Sequence, residues 1–264
     1  MFNISKKKIL RFFTGEFYSK EFEGPFKSWD KAKRYSRGYN DKKILEKVIT
    51  AVKFCQKNKN FFERDGTVIK DKKYPKKIIN FLNKKYKGKT LNVLDYGGSL
   101  GSFYFQNIKK LNSIKKVSWS IVEQKSYVDT GNKIFKKKKI SFFNNLDFVL
   151  KKFVPNVVLF SNSLQYIKNY EKILNKIFKI SSVKHIIVDR LIVTKNNKNL
   201  IFIQKNPKHH NYTSYPIVFF SKKIFLNIFK NSFTMCLSSL SYIPESLYVK
   251  KNKCISMTYI FEKK

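Results

Sequence analysis

Residues 91–101 read Leu-Asn-Val-Leu-Asp-Tyr-Gly-Gly-Ser-Leu-Gly, and this run limits the architecture more than any other part of the chain. An apolar stretch ends in a carboxylate, Asp95, a glycine-rich bend follows at once, and the pattern then turns helical. That order predicts a strand, a tight loop and a helix N-terminus. Glycine lets a backbone take positive φ and approach a ligand closely, and a helix N-terminus offers unpaired N–H groups and the positive end of its dipole. From Leu91 onward strands and helices alternate. Strands are expected at 91–95, 117–123, 140–143, 156–160 and 184–189, and helices near 102–112, 125–136, 145–152 and 169–180. Short continuous apolar strands separated by amphipathic helices predict a parallel sheet covered on both faces. After residue 189 the rhythm changes. An extra strand at 200–204, a loop rich in His, Asn, Tyr and Pro, and a helix at 221–230 precede apolar runs near 233–240 and 254–261. Two strands with no helix between them predict an antiparallel hairpin at the sheet edge.

The spacing within the loop separates it from other nucleotide loops. The dinucleotide fingerprint G-x-G-x-x-G needs glycine at 97, 99 and 102, but positions 99 and 102 are serines, and no G-x-x-x-x-G-K-[ST] phosphate loop occurs. The methyltransferase pattern acid-x-Gly-x-Gly-x-Gly falls on Asp95, Gly97, Ser99 and Gly101, matching at three of its four places. A carboxylate, a close-approach bend and a helix N-terminus together suit S-adenosylmethionine, which carries an ammonium, a carboxylate, a sulfonium and ribose hydroxyls. A second element agrees with the first. Val117–Glu123 has the look of the next strand, ending in an acid 22 positions after Gly101. In Rossmann-like folds the acid at the tip of the second strand accepts hydrogen bonds from ribose hydroxyls.

Composition adds less than its net charge of +39 suggests. Only five of the 56 basic residues are arginines (Arg11, Arg34, Arg37, Arg64 and Arg190), and alanine occurs only twice. Lys, Asn, Ile, Phe and Tyr dominate, as an AT-rich coding sequence dictates whatever the function. Nucleic-acid sites favour arginine for bidentate and stacked contacts, so no specific nucleic-acid partner is expected. Weak peripheral contact with an anionic membrane surface follows from the charge. Cys55, Cys236 and Cys254 are scattered, and His185, His209 and His210 have no ligand spacing, so neither a metal site nor a disulfide framework is expected. No run has the length of a membrane span, and Met1–Phe13 lacks the apolar core of a signal peptide. A cytoplasmic location is expected, with peripheral contact at the inner face of the membrane resting on that charge. Residues 1–39 show no clear periodicity and are expected to be irregular. A helix is expected from Asn40 to Lys57, with Asp41 in its first turn and Ile44, Val48, Val52 and Cys55 inward. A turn at Glu63-Arg64-Asp65-Gly66 follows, and then a helix opened by Pro75 and stopped at Gly88.

Asp95–Asn107 resembles the loop of a bacterial family of class I methyltransferases whose genes accompany surface-polysaccharide, or O-antigen, biosynthesis genes. Further segments agree in order: Trp29 with Gly38-Tyr39, Glu63–Gly66, Val122-Glu123-Gln124, Ser161–Tyr166, Asp189-Arg190, Ser214-Tyr215-Pro216 and Phe219-Phe220-Ser221. The resemblance implies an α/β, Rossmann-like class I methyltransferase fold, with a mostly parallel seven-stranded sheet closed by a terminal antiparallel hairpin. An N-terminal helical lid or cap is expected over residues 1–87 and a Rossmann-like donor-binding domain over 88–264. The resemblance also implies S-adenosylmethionine as donor, S-adenosylhomocysteine as product, and a sugar or glycan, or another small molecule, as acceptor.

The expected donor contacts are Asp95, Gly97, Gly98, Ser99, Gly101, Glu123, Gln124, Asn144 and Ser161. Asp95 is placed for the ammonium, directly or through water, Glu123 for the ribose, and Asn144 or Asn145 for the adenine. The candidates on the acceptor side are Gln165, Tyr166, Asp189, Arg190 and Arg64. Arg190 stands out because codon bias does not explain it; it suits an acidic sugar, a phosphate or a carboxylate. Leu164 and Tyr166 equally suit packing of a helix start. Asp189, His185, His209 and His210 are the options for a general base. His185, inside an expected strand, reads better as a buried structural histidine. Two alternatives stand beside the glycan enzyme: an inactive nucleotide-binding module that holds partners together, and an RNA methyltransferase.

Overall fold

The computed structural model describes residues 16–18, 21–38, 42–58, 60–64, 66–70, 74–136, 139–205, 213–242, 246–249 and 252–264. The N-terminal part comprises β1 (Glu16–Tyr18), β2 (Phe22–Phe26), α1 (Trp29–Arg34), α2 (Lys42–Lys57), a hairpin of β3 (Phe62–Arg64) and β4 (Thr67–Ile69), and α3 (Lys76–Lys85). Alternation then sets in: β5 (Thr90–Tyr96), α4 (Ser102–Asn107), β6 (Lys116–Val122), α5 (Lys125–Ile134), β7 (Ile140–Phe143), α6 (Leu146–Leu150), β8 (Val157–Ser161), α7 (Tyr170–Phe178) and β9 (His185–Thr194). The chain closes with β10 (Leu200–Lys205), β11 (Ser214–Ser221), α8 (Lys222–Phe229), β12 (Phe233–Leu240), β13 (Ser246–Val249) and β14 (Asn252–Lys263).

The central sheet runs β7-β6-β5-β8-β9-β14-β12. The first five strands are mutually parallel. β14 lies antiparallel to β9, and β12 antiparallel to β14, which is the expected terminal hairpin. β5 has β6 on one side and β8 on the other, so the chain reverses direction across the sheet at β5. Ligands of open α/β sheets bind outside the carboxyl ends of the strands at such a switch point.

Alternate residues of each strand supply two cores. Leu91, Val93, Trp119, Ile121, Val157, Leu159 and Ile187 pack on one face with α2, α3, α4 and α5. Leu94, Val122, Val158, Phe160, Ile186 and Val188 pack on the other with α6, α7 and α8. The N-terminal helices belong to the first of these cores: Ile44, Val48 and Val52 from α2, and Ile78, Ile79 and Leu82 from α3, are buried together with Leu91 and Val93.

Two expectations are corrected. Residues 16–18, 22–26 and 29–34 are two strands and a helix rather than irregular: β1 pairs with β13, and β2 pairs with β10. Their order comes from strand partners far away in sequence, which periodicity does not reveal. The segment read as a loop after residue 204 contains β11, antiparallel to β10 and joined to the end of β9. Pro216 disguised it. That residue pairs with Ile203 on one side, and β9 meets β11 only at Phe220 and Ser221, so the missing N–H leaves no broken ladder on the other side.

Candidate functional site

Three strand tips converge at the switch point. At the end of β5, Asp95 has no exposed surface. One carboxylate oxygen, Oδ2, accepts a 3.1 Å hydrogen bond from Trp119 Nε1, and the other, Oδ1, is buried with no hydrogen-bond partner. Gly98 lies directly over this carboxylate, and a Cβ added there would sit 2.6 Å from its carbon. Burial, with the Glu123 charge adding to it, pushes the Asp95 carboxyl up from the ordinary 3.8 to about 7 against the Trp119 hydrogen bond. The glycine at 98 is therefore required by the carboxylate below it. Gly97, at φ +76°, has its Cβ position 2.5 Å from Ser163 Cβ, and Gly101, at φ +85°, caps α4 with its Cβ position 2.7 Å from Ile140.

Ser99 stands where the methyltransferase pattern has glycine. It adopts the left-handed conformation a glycine would take, at φ +52°. Its N–H, rather than its hydroxyl, is the group engaged: it donates to Glu123 Oε2 at 3.1 Å. Glu123 Oε1 accepts from Gln124 N–H at 2.8 Å, so this one carboxylate ties the glycine bend to the tip of β6. Burial raises its pKa, while the two backbone N–H bonds pull the other way. A carboxylate oxygen has two lone pairs, so each oxygen has one beyond the N–H bond it accepts. Gln124 caps α5, and Asn144 is exposed at the tip of β7, beside Asn145, whose side chain caps α6.

On the other side of β5 the tips of β8 and β9 interlock. The register of β9 against β14 slips so that Asp189 and Arg190 together oppose Thr258. This is a β-bulge, a device that re-aims side chains. Arg190 takes φ +56° and Asn162 φ +58°, both left-handed. Gln165 connects them, its amide nitrogen donating to Asn162 Oδ1 at 2.7 Å and to the Arg190 carbonyl at 3.2 Å. Asp189 accepts from Thr258 Oγ1 at 2.6 Å and from Ser161 Oγ at 3.3 Å, and Arg190 Nη2 donates to Ser161 Oγ at 3.3 Å.

The acceptor-side candidates are thereby redistributed. Gln165, expected to touch the acceptor, is fully buried and braces the two strand tips from within. Asp189 is 1% exposed and spends its oxygens on Thr258, Ser161 and Arg190. Tyr166 is half-buried. Its hydroxyl donates to Gln204 at 2.8 Å and its ring packs edge-on against Tyr215. His185 lies at the opposite end of β9, buried against Tyr86 and Glu262, as a structural histidine does. His209 and His210, with Tyr39, Asn40, Asp41 and Asp65, lie outside the described residues.

One contact had no sequence signal. Buried Glu63 accepts from the Ser102 hydroxyl in the first turn of α4 and from Gly66 N–H, while its carbonyl accepts from Gln106. The β3–β4 hairpin, which carries Arg64, is thus fixed to the helix that follows the glycine bend.

The elevated Asp95 gives a stability prediction. A carboxyl whose folded pKa is raised contributes stability that is complete below its unfolded value and lost as pH rises through the folded one. Asp95→Asn removes that loss. Urea unfolding of the ligand-free protein should show the variant gaining on the parent by about 4 kcal/mol between pH 4 and pH 8. A difference independent of pH would contradict the burial of an ionisable group there.

The sheet order, the switch point and the paired strand-tip acids define a Rossmann-like class I methyltransferase fold. No family model matches the chain. It is similar to the ribosomal RNA small subunit methyltransferase A of Wigglesworthia glossinidia brevipalpis, with 29% identity over 165 residues. That match covers 54% of this chain and 58% of the relative, so little more than half of each protein is compared. Among solved structures, the N-terminal domain of EvdMO1, crystallised in the presence of S-adenosylhomocysteine and D-fucose, has a TM-score of 0.51 at 10% identity, covering 86% of this chain and all of that one. Coclaurine N-methyltransferase bound to N-methylheliamine and S-adenosylhomocysteine has a TM-score of 0.50 at 10% identity, covering 88% and 84%. Likeness at that identity is one of fold. Among the described residues no helix is long and apolar enough to cross a membrane.

Proposed function

We propose that the chain is an S-adenosylmethionine-dependent methyltransferase acting on a sugar or glycan. The observation that carries the first half is the paired carboxylates at the glycine bend. Asp95 keeps one buried oxygen without a partner, which a native fold rarely tolerates without a reason. Glu123 already holds the bend through Ser99 N–H and keeps lone pairs for two hydroxyls. A cationic ligand with a ribose diol suits this pair. Gly97–Ser99 would approach the methionine portion, Glu123 would hold the ribose, and Asn144 and Ser161 flank the bend at the neighbouring tips.

The donor supplies a methyl group on a positively charged sulfur, open to in-line displacement. The chain contributes alignment and exclusion of water. A hydroxyl acceptor also has to lose a proton to a base within hydrogen-bond reach. Asp189 has burial on its side but faces inward, so an N-terminal contribution to the acceptor side is part of this proposal. Support for a sugar comes from the likeness to the surface-polysaccharide family and from the D-fucose present with the EvdMO1 domain. A second reading, an RNA methyltransferase, is favoured by the ribosomal RNA methyltransferase relative.

Titration calorimetry with S-adenosylmethionine tests the donor half. Micromolar binding is expected, and it should tighten as pH rises through about 7, because a cationic ligand favours ionised Asp95. Absence of heat at millimolar donor would overturn it.

A further inference from the structure

α1 and the residues after it form a surface that the donor site does not use. Ser28 caps the helix through Lys31 N–H, and Ala32 is buried beneath it. Tyr35 closes the helix and is 68% exposed as a residue. Phe26, from the end of β2, stacks on the Tyr35 ring with centroids 6.0 Å apart. Arg34 and Arg37 flank Tyr35 in the chain, and both are exposed. They are two of only five arginines in a protein that otherwise uses lysine for positive charge. Among the described residues neither guanidinium makes a hydrogen bond or ion pair. The local field is positive: a hydrogen bond from Lys168, together with the charges of Lys168, Lys33 and Arg34, holds the Asp30 carboxyl below its usual value.

The surface is joined to the acceptor side of the site. Arg37 N–H donates to Ser214 Oγ, and Gly38 N–H to the Ser214 carbonyl, both at 2.9 Å. The next residue, Tyr215, packs against Tyr166, which follows the tip of β8. An exposed aromatic ring stacked on a second ring, with an arginine on either side of it in the chain, offers a stacking face for a base and forked donors for phosphate oxygens. A single-stranded nucleic acid needs a succession of such faces along its path. Tyr35 is the one large aromatic strongly exposed on this element, which matches one base.

We propose that this surface binds the nucleoside diphosphate part of a nucleotide-activated acceptor sugar, the base on Tyr35 and the diphosphate between Arg34 and Arg37. The inference rests on the sugar-methyltransferase reading above and gives its acceptor a chemical class.

The test is calorimetry on the full chain with uridine diphosphate, pyrophosphate and a ten-nucleotide oligouridylate at fixed salt, beside S-adenosylhomocysteine. Uridine diphosphate should bind at least about tenfold more tightly than pyrophosphate, because the base contributes a stack. The Arg34→Ala/Arg37→Ala pair and Tyr35→Ala alone should each weaken it at least about fivefold. All three positions are exposed, so the fold should hold, and S-adenosylhomocysteine affinity should stay unchanged in every variant. Equal affinity for pyrophosphate and uridine diphosphate, or indifference to the variants, would overturn the proposal. Tighter binding of the oligonucleotide, lost in the same variants, would overturn it in favour of RNA. Failure of S-adenosylhomocysteine to bind while uridine diphosphate behaves as expected would strike the methyltransferase reading and leave the nucleotide surface standing.

Discussion

A Gly97→Val protein is expected to lose donor binding altogether and to unfold about 2–4 kcal/mol more easily than the parent. Two separate causes act at this position. The backbone sits at φ +76°, where any side chain is strained, and the new Cβ would fall 2.5 Å from Ser163 Cβ. Ser163 is itself held by a hydrogen bond from its hydroxyl to the Tyr96 carbonyl, so it has little freedom to retreat. Either the glycine bend or the tip of β8 must move, and the proposed donor surface lies between them. Adding Ser163→Gly separates the causes. It relieves the collision and leaves the backbone strain, so the double variant should recover part of the stability. Denaturation midpoints and donor titration on the parent, the two single variants and the double variant read both quantities. Parent-like donor affinity in Gly97→Val would remove this bend from the site.

Glu123→Ala should behave differently, with a large loss of affinity and a small loss of stability. Its carboxylate holds Ser99 and Gln124 N–H groups that water can reach once the side chain is gone, so the fold should lose only about 1–2 kcal/mol. Donor affinity should fall by about two orders of magnitude or more, since two hydroxyl bonds to a charged acceptor are lost together. Glu123→Gln keeps the shape and lacks the charge, and should fall between parent and alanine. Calorimetry on the three proteins at one pH measures the series. An alanine variant with unimpaired donor affinity would show that this carboxylate serves only to hold the loop.

The contrast between these two residues shows what a sequence discloses. β5 to β9 and their helices were legible because each strand is a short apolar run and each helix has one apolar face, so local pattern and final burial coincide. The bend after β5 was legible for a related reason: a tight turn over a carboxylate admits few residues, and Asp95, Gly97 and Gly98 are among them. β11 was hidden because Pro216 argues against a strand wherever the partner on its other side is unknown. β1 and β2 were hidden because their order comes from β13 and β10, more than 170 positions further along the chain.

Side-chain roles were least legible where the backbone departs from ordinary conformations. Ser99, Asn162 and Arg190 are all left-handed, and none is glycine. Each is held by partners outside its own segment: Ser99 by Glu123, and Asn162 and Arg190 by Gln165 and by the bulge opposite Thr258. Such positions cost about 1–3 kcal/mol apiece and persist where the surroundings over-determine them, commonly at functional sites. Gln165 looked like an acceptor contact because it follows the tip of β8, yet the tight turn after Asn162 points it inward. The same turn places Tyr166 toward Tyr215, on the side where Arg37 is anchored.

The central claim, that the bend after β5 cradles the donor, is tested most directly by a crystal structure of the chain with S-adenosylhomocysteine. The account predicts electron density across the backbone of Gly97–Ser99, with the ribose hydroxyls on the Glu123 carboxylate. Density at another place on the molecule, with this bend bare, would contradict it.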